Sequence, residues 1–437
     1  MSSIAAAAPR KKKRLHGLFQ GLQKMGRSLQ LPIAVLPAAG ILNRLGQPDV
    51  FGKDGLGWTD VAKVMAGAGG ALLDSSLGLP LLFAVGVAIG MAKKSDGSTA
   101  LAAVVGFLVY YAVLHQFPRD CPAGSRHTAI GLLAGVCVTA GGEPSAVGYQ
   151  NPGVFGGIVI GLLAAWFWQR YHRVKLVDWL GFFNGRRLVP IIMAFVAIAF
   201  AALCLWIWPW VGDRLTSFSE WLVDLSSLGS GIFGVANRAL LVVGLHQFLN
   251  VFVWFQFGDF AKPDGQVVHG DINRFLAGDP AAGQFTSGFF PIMMFALPAA
   301  ALAMAHCAKP QHRRAVSGMM LSVGLTSLVT GITEPIEYSF LFIAPLLYVA
   351  HAVLTGVSMA VTWELGVHDG FSFSAGLIDY VINWGLATKP WLIIPIGLGF
   401  AVLYYAVFRF VITFFDLPTP GREPEALAEE IEKENVE

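Results

Sequence analysis

Charged residues are scarce in this sequence. Asp, Glu, Lys and Arg make up 13% of its 437 residues, about half of the share that is usual in soluble domains. Apolar residues make up 55%, and the mean hydropathy is +0.61. So few charges cannot cover the surface of a water-soluble protein of this length. A soluble enzyme, a nucleic-acid-binding protein and a disordered scaffold are therefore poorly supported, and we predict an all-α polytopic membrane protein.

Chemical motifs are scarce as well. The four cysteines show no CxxC spacing and no histidine-rich neighbourhood, so neither a metal site nor a redox pair is indicated. The sequence contains no GxxxxGK[ST] phosphate loop and no HExxH metalloprotease helix. The net charge is only +2, so the charge of the whole molecule does not point to an acidic partner. We expect no metal, no cofactor and no nucleic-acid partner.

Long apolar runs are what the sequence does contain. At about 20 residues per span, the chain between its polar ends accommodates about ten transmembrane helices. Several runs are short or broken by Gly and Pro, and such breaks occur at membrane depth where protein or a water-filled cavity satisfies the backbone. We therefore expect re-entrant hairpins and a transporter. The runs lie near 31–45, 71–92, 99–115, 129–140, 153–169, 188–211, 228–256, 285–306, 315–332, 336–363 and 391–415.

Basic residues predict the orientation. Lys and Arg concentrate in the cytoplasmic loops of membrane proteins, which predicts cytoplasmic N- and C-termini. The number of runs between the second and third basic clusters is odd, so we predict that the shortest run, 129–140, does not cross alone. The basic clusters lie at 10–14, 93–94, 170–175 with 186–187, and 309–314.

These patterns divide the chain into four segments. The first, 1–30, is a basic, amphipathic cytoplasmic segment, and the last, 417–437, is an acidic linker or tail. Residues 31–187 form an N-terminal membrane half that ends in an interfacial connector at 170–187, where basic and aromatic residues alternate. Residues 188–416 form the C-terminal membrane half.

Polar side chains inside apolar runs are candidates for function, because burying them without partners is costly. Arg238 and His246 are eight residues apart, so a continuous helix would place them on nearly one face, and Asn250 extends that stripe. They would line a cavity wall with a cation, an imidazole and an amide. The alternative is a helix-packing network in which these groups satisfy one another.

A second candidate lies between two apolar runs, at 330–338. Glu334 precedes Pro335, which disfavours a continuing helix there. A carboxylate at the tip of a broken helix can accept hydrogen bonds from several hydroxyls, as polyol recognition requires. The alternatives are a loop acid at the membrane surface for Glu334 and a simple ion pair for Glu337.

Two polar loops are further candidates. The loop at 269–279 contains Asp271, Arg274 and Asp279, and an Asp and an Arg three residues apart usually form a structural ion pair. The loop at 368–374 combines hydroxyls with aromatic rings, which suits the mixed surface of a sugar but also describes an ordinary interfacial loop.

The segment GITEPIE at 331–337 resembles the signature of the IIC membrane component of the bacterial phosphoenolpyruvate:sugar phosphotransferase system, glucose superfamily. Within that family the chain is most similar to the N-acetylglucosamine permeases, on GIFGVANR at 231–238, GFFPIMM at 288–294 and GFSFSAG at 370–376. The supporting motifs are GLHQ at 244–247, HGD at 269–271, AGDP at 277–280 and TPGRE at 419–423.

The resemblance implies group translocation. A sugar bound from outside, here N-acetylglucosamine, is carried inward and phosphorylated on its 6-hydroxyl by the phosphocysteine of a IIB domain, which IIA and HPr supply with phosphate. The chain is then part of a phosphotransferase enzyme. None of its cysteines resembles the IIB cysteine, so we expect the IIB domain to be a separate polypeptide or a part that this chain lacks.

The resemblance also implies a homodimer in the bacterial inner membrane. The N-terminal half supplies the dimer contact, and the C-terminal half carries the sugar past it in an elevator-like movement. Two alternatives remain: a permease of the same fold for glucose or a glucoside, and a secondary sugar transporter or sugar sensor without phosphotransfer.

The resemblance matches Arg238, His246 and Glu334 to sugar-site positions. We expect His246 and Glu334 to be catalytic, assisting removal of the proton from the attacking hydroxyl. Arg238 would hold the carboxylate or stabilise phosphoryl charge. The expected substrate-binding residues are Arg238, Gln247, Asn250, Asp271, Thr333, Glu337, His368 and Ser372.

Overall fold

The structure is a computed structural model. It describes residues 25, 28–29, 32, 35–73, 77–116, 125–130, 134–139, 144–145, 152–242, 246–262, 267–341, 343–372 and 374–422. Within these residues the chain is mostly helical. Most of the predicted basic segment at 1–30, and the acidic tail beyond residue 422, lie outside them.

The helices are numbered in chain order. In the predicted N-terminal half they are α1 (Leu36–Leu45), α2 (Thr59–Leu73), α3 (Gly78–Met91), α4 (Gly97–Leu114) and α5 (Val154–Tyr171). In the C-terminal half they are α6 (Leu188–Asp224), α7 (Ser227–Leu241), α8 (His246–Phe255), α9 (Asp271–Leu276), α10 (Phe289–Cys307, with a π-helical turn at Ile292–Ala296), α11 (Arg313–Thr330), α12 (Glu334–Leu341), α13 (Pro345–Glu364), α14 (Leu377–Asn383) and α15 (Ile393–Phe414). Short 3₁₀ helices occupy Asp178–Phe183, Gly185–Arg187 and Pro390–Leu392.

Six helices of the described chain are long and apolar enough to cross a membrane, or up to seven if the bent pair α2–α3 is one span. The predictions of about ten helices, of re-entrant hairpins and of cytoplasmic termini stay predictions. The six spans are Gly97–Leu114, Val154–Tyr171, Gly185–Trp208, Phe289–Cys307, Pro345–Glu364 and Pro390–Phe414.

Two small antiparallel sheets make the chain mostly, not wholly, helical. The first contains β1 (Ser125–Ile130), β2 (Ala134–Thr139) and β3 (Pro144–Ser145), and the second pairs β4 (Asp259–Ala261) with β5 (Val267–His269). The described residues of the run at 129–140 therefore lie in strands β1 and β2, which pair in the register Ser125 with Thr139. Its Val and Thr residues are β-branched and favour strands, which explains why this run does not cross as a helix.

An N-terminal bundle is formed by α3, α4, α5 and the first part of α6. Its core mixes small residues with a few large ones, such as Phe107 and Trp168, so helices approach closely. Val189 and Met193 of α6 belong to this core. Helix α6, the first helix of the predicted C-terminal half, therefore packs against the N-terminal bundle.

The C-terminal half contains α7 packed along α13, and α10 packed on α11 and α15. The α7–α13 crossing is close because Gly356 faces α7: a Cβ there would lie 2.7 Å from the Gly231 carbonyl oxygen. This crossing packs the first half of α7 against the middle of α13, and the candidate site lies towards the end of α7.

Arg44 of α1 joins the two halves. Its buried guanidinium donates through Nε to Oδ1 of Asn383 (2.7 Å) and to the Ile382 carbonyl oxygen (3.1 Å), at the end of α14. The same group pairs with Asp49 at 2.6 Å. A cation at the C-terminal end of a helix is favoured by the helix dipole, so α1 is held against the C-terminal end of α14.

Candidate functional site

The chain breaks where the Glu-Pro dipeptide predicts, since α11 ends at Thr330 and α12 begins at Glu334. Gly331 caps α11 with φ of +73°, a left-handed conformation that glycine adopts without strain. The Ser374 hydroxyl donates to the Gly331 carbonyl oxygen (2.9 Å). The loop predicted at 368–374 therefore packs directly on the break.

Arg238, in the last turn of α7, pairs with Glu337 of α12. Nη1 of Arg238 lies 2.5 Å from Oε1 of Glu337, and the side chains are 4% and 0% exposed. The guanidinium lies over the Phe289 ring, 5.1 Å from its centroid, and Tyr348 OH donates to the Arg238 carbonyl oxygen (2.5 Å). Glu337 therefore forms an ion pair, which was the alternative role given to it from the sequence. The base in this pair is Arg238, itself a predicted site residue.

The sequence places Arg238 and His246 on one face of a continuous helix, and this expectation is wrong because α7 ends at Leu241 and α8 begins at His246. The two side chains still lie within electrostatic range of each other, and Glu337 is within the same range of His246. Tertiary packing, rather than helical periodicity, brings them together.

Glu334, the first residue of α12, completes this cluster. It is half-buried and lies within electrostatic range of Arg238 and Glu337. The preceding Thr333 is buried, and its carbonyl oxygen accepts from the N–H of Ile336 and from that of Glu337, both at 3.0 Å. Thr333 therefore starts the helix that carries both glutamates.

Three buried polar atoms of the cluster have no hydrogen-bond partner among the described residues: Arg238 Nε, His246 Nδ1 and Glu337 Oε2. The Gln247 amide nitrogen donates to His246 Nε2 (2.9 Å), so the neutral imidazole carries its proton on Nδ1. The cluster thus offers two free donors and one free acceptor. Buried polar groups are normally paired, and a ligand bearing hydroxyls would pair these three.

Asn250 takes part in a contact between helices. The Asn237 amide of α7 donates to the Asn250 side-chain oxygen of α8, and both residues are buried. This is the helix-packing alternative of the sequence, and it holds α8 against α7.

Asp271 holds a turn of backbone. Its carboxylate accepts from the N–H of Gly283 (2.9 Å) and from that of Phe285 (3.1 Å), and it is buried. Arg274, the basic residue of the same loop, pairs with Asp279 at 2.7 Å. The expected ion pair between residues three apart, Asp271 and Arg274, is therefore not formed, because backbone N–H groups occupy the Asp271 carboxylate and Arg274 pairs with Asp279 instead.

His368 and Ser372 lie in the loop between α13 and α14. Nδ1 of His368 lies 2.8 Å from the Pro280 carbonyl oxygen, and the ring stacks on Trp363 with centroids 4.3 Å apart. The Ser372 N–H donates to Asp379 (2.6 Å), whereas the buried Ser372 hydroxyl has no partner among the described residues.

Two buried residues beside the cluster were missed by the sequence analysis. His351 of α13 lies 3.2 Å from Glu337, and Tyr404 of α15 lies 3.0 Å from His351. Both lie in long apolar runs, so the rule that selected Arg238 and His246, polar residues inside such runs, would have found them.

Asp369 was also missed. Its backbone is fixed by Ser287, which accepts from the Asp369 N–H (2.8 Å), and by the Thr286 hydroxyl, which donates to its carbonyl oxygen (2.8 Å). Neither carboxylate oxygen has a partner among the described residues. Burial raises the pKa of the Asp369 carboxyl well above its usual range, which the nearby Gly370 N–H offsets only in part. No group of three or more potential metal ligands is found in the described part of the chain.

Known proteins resemble this chain over most of its length. It is 63% identical over 433 residues to the "PTS system N-acetylglucosamine-specific EIIC component" of Streptomyces coelicolor, covering 99% of this chain and 100% of that protein. It is 46% identical over 404 residues to the "PTS system N-acetylglucosamine-specific EIICBA component" of Escherichia coli, covering 92% of this chain and 56% of that protein. The chain thus spans about half the length of the second relative.

A solved structure shares the fold. The crystal structure of the transporter ChbC, the IIC component from the N,N'-diacetylchitobiose-specific phosphotransferase system, matches with a TM-score of 0.54 and 13% identity, over 92% of this chain and 96% of that one. Residues 26–356 also match the family model described as "Phosphotransferase system, EIIC". With this match and the extensive identity to the Streptomyces relative, the chain belongs to the EIIC family of the phosphotransferase system.

Proposed function

We propose that this chain takes up N-acetylglucosamine and presents it for phosphorylation on its 6-hydroxyl. The observation that carries the proposal is the cluster of Arg238, His246, Glu334 and Glu337, in which two donors and one acceptor are buried and free. Sugar hydroxyls both donate and accept, so one sugar can pair all three atoms. The sugar named for the 63%-identical relative supports the choice of N-acetylglucosamine.

Each residue of the cluster has a separate proposed role in the phosphoryl transfer. The sugar's 6-hydroxyl oxygen bonds to phosphorus as the phosphocysteine S–P bond breaks, and the hydroxyl proton passes to Glu334. His246 donates its Nδ1–H to a sugar oxygen, and Arg238 holds Glu337 and stabilises nearby phosphoryl charge. Phosphoryl transfer depends mainly on alignment of the reacting atoms and on charge stabilisation, so a site of fixed donors suits it.

The other expected residues support the same site. Gln247 and Asn250 orient α8, Thr333 starts α12, and Asp271 and His368 hold the loops that lie beside them. The free Ser372 hydroxyl is open to a sugar oxygen. Their proposed part is to shape the site and, for Ser372, to bind the sugar.

The phosphate donor is proposed to be a IIB domain, supplied in turn by IIA and HPr. The name of the E. coli relative, an EIICBA component, and its greater length support the IIB and IIA parts. The protein is proposed to act as a homodimer in the bacterial inner membrane. Residues 31–187 serve as the scaffold, and residues 188–416 move the sugar past it.

The test is uptake of labelled N-acetylglucosamine into vesicles that contain the protein, with the IIB, IIA and HPr chain of phosphate donors enclosed. We expect the wild type to accumulate sugar phosphate inside. Glu334→Gln removes the proton acceptor and His246→Ala removes the donor, so both should lower phosphorylation at least tenfold. The matched control is Glu364→Gln, an exposed acid at the end of α13, which should match the wild type.

Accumulation of unphosphorylated sugar would overturn group translocation and favour a secondary transporter. Normal phosphorylation by both site variants would overturn the assignment of the site. Unlabelled glucose that competes as well as unlabelled N-acetylglucosamine would favour the glucose permease instead.

A further inference from the structure

Two fully buried residues lie behind the Arg238–Glu337 pair, on helices that carry no other residue of the cluster. His351 of α13 and Tyr404 of α15 are both 0% exposed. Nε2 of His351 lies 3.2 Å from Oε1 of Glu337, and its Nδ1 lies 3.0 Å from Tyr404 OH. The four side chains form one chain of contacts across α7, α12, α13 and α15.

The direction of these hydrogen bonds follows from their chemistry. An ionised carboxylate only accepts, so Nε2 of His351 carries the hydrogen and donates to Glu337. Nδ1 of the neutral ring is then an acceptor, and the Tyr404 hydroxyl donates to it. Glu337 therefore selects the tautomer of His351, and the Tyr404 hydroxyl, which also lies 3.3 Å from the His351 carbonyl oxygen, holds the other side of the ring in place.

The two carboxylate oxygens of Glu337 are consequently not equivalent. Oε1 receives both Arg238 Nη1 (2.5 Å) and His351 Nε2 (3.2 Å), whereas Oε2 is buried and has no partner among the described residues. Two donors from different helices fix the plane of the carboxylate. With Arg238 alone, rotation of the carboxylate could exchange its two oxygens.

We propose that His351, oriented by Tyr404, is a positioning residue that holds Glu337 so that Oε2 accepts a hydrogen bond from a sugar hydroxyl. The inference rests on the proposed function, since it assigns one atom of that site to the sugar. His351 does not touch the sugar itself. It acts through Glu337, and Tyr404 acts through His351.

The surroundings of His351 give it few other roles. Its ring lies edge-on to Phe340, with centroids 5.9 Å apart, and near the ring of Tyr348, at 5.8 Å. Glu337 and Tyr404 are the side chains to which its two ring nitrogens bond. Replacement of His351 by Phe would keep a ring of similar size in this apolar setting and would remove both bonds.

The test measures binding of labelled N-acetylglucosamine to the purified full-length protein, and sugar phosphorylation in the reconstituted system. A hydrogen bond to a charged group corresponds to roughly tenfold or more in an equilibrium constant. We expect His351→Phe to raise the sugar Kd and the KM about tenfold, with a smaller effect on kcat. His351→Gln, whose amide can still donate to Glu337, should recover part of that loss.

The order of action is tested with Tyr404→Phe. We expect it to weaken binding in the same direction but less, because His351 keeps its contact with Glu337 while its Nδ1 loses the hydroxyl that holds the ring in place. The double variant should bind like His351→Phe alone, since Tyr404 acts only through His351.

A second His–Tyr pair supplies the matched control. Nδ1 of His306 in α10 lies 2.8 Å from the hydroxyl of Tyr405, the neighbour of Tyr404 on α15. This contact is exposed and does not involve the Arg238–Glu337 pair. His306→Phe and Tyr405→Phe should bind sugar as the wild type does. Thermal melting of every variant reports whether it is folded.

Each outcome decides the question. Binding by folded His351→Phe within twofold of the wild type overturns the positioning role, even if Glu334→Gln abolishes phosphorylation as the proposed function requires. A Tyr404→Phe effect that adds in full to that of His351→Phe overturns the order of action. Wild-type protein that binds no N-acetylglucosamine overturns both the proposed function and this inference.

Discussion

The buried pair of Arg238 and Glu337 leads to a prediction about stability: the double variant should be more stable than either single variant. Glu337→Leu leaves a guanidinium buried without its carboxylate, and Arg238→Met leaves the carboxylate without its cation. We expect each single variant to be strongly destabilised. The double variant Arg238→Met/Glu337→Leu should recover most of that loss, because it buries no unpaired charge.

The magnitude follows from the geometry of the pair. At 2.5 Å and an effective dielectric constant of about 20, the attraction between the charges is about 7 kcal/mol. Removal of both ions from water costs several kcal/mol for each, so the intact pair contributes little net stability. Loss of one partner leaves the cost without the attraction, which amounts to about 3–5 kcal/mol.

The assay is equilibrium unfolding of the purified protein in detergent micelles, with the free energy of unfolding compared among the wild type, both single variants and the double variant. The matched control is Asp60→Asn, which breaks the exposed pair of Lys63 and Asp60 at 3.9 Å. Exposed pairs contribute little, so this change should not be measurable. Single variants as stable as the wild type, or a double variant whose loss is the sum of the two, would refute the reasoning.

Three further predictions concern single positions. Gly331→Ala should lower the free energy of unfolding by at least about 1–2 kcal/mol, because alanine disfavours its left-handed backbone and the added Cβ would lie 2.6 Å from Ser374 Oγ. Asp369→Asn should raise the melting temperature at neutral and alkaline pH and change it little below about pH 4, the ordinary pKa of an aspartate, because a raised pKa means that stability is lost as pH rises from there to the raised value. Asp96→Ala should cost about 1 kcal/mol at neutral pH, because Asp96 caps α4 by accepting from the Ser98 N–H (2.9 Å). Although burial opposes it, this hydrogen bonding holds the pKa of Asp96 below its usual range, so the loss should fade as pH falls through that pKa.

Controls and contradicting results differ among the three. For the cap of α11, the control is Gly67→Ala in α2, where an added Cβ meets open space and alanine should stabilise the helix by about 0.5–1 kcal/mol. Equal effects at the two glycines would contradict the argument from backbone conformation. A pH-independent difference between wild type and Asp369→Asn would show that the carboxyl does not take up a proton on folding, as a raised pKa requires, and an Asp96→Ala loss that grows in acid would contradict the assignment of the cap.

Much of the candidate site was predictable because its signals are local. The Glu-Pro dipeptide disfavours a helix that continues through Glu334 from the residues before it. In the structure α11 ends at Thr330 and a new helix, α12, begins at Glu334. The scarcity of charge likewise made Arg238 stand out within an apolar run, and the structure pairs it with a residue of the GITEPIE segment. Each inference uses residues within a few positions of one another, whose backbone preferences do not depend on the rest of the fold.

Other features depend on contacts between distant residues, which the sequence does not show. A helical repeat extended from Arg238 to His246 has no means of showing that α7 ends at Leu241, so periodicity gave the right pair for the wrong reason. The run at 129–140 was predicted not to cross alone, but only the structure shows that its described residues pair as strands. Asp271 was selected as a polar residue of a loop, but only the position of the 283–285 turn shows that backbone N–H groups use its carboxylate.

The sequence by itself determined the class of this protein and its family, because too little charge for a soluble surface and the GITEPIE segment are properties of composition and of neighbouring residues. The tertiary structure alone decided which polar groups meet. The contact of Arg238 with Glu337 joins residues 99 positions apart, and that of Tyr404 with His351 joins residues 53 apart. Such contacts depend on how helices pack, since burial without water forces polar groups to find partners wherever the fold brings them. The same packing left Glu337 Oε2 without a hydrogen-bond partner among the described residues, which is why we propose that a sugar hydroxyl bonds to it.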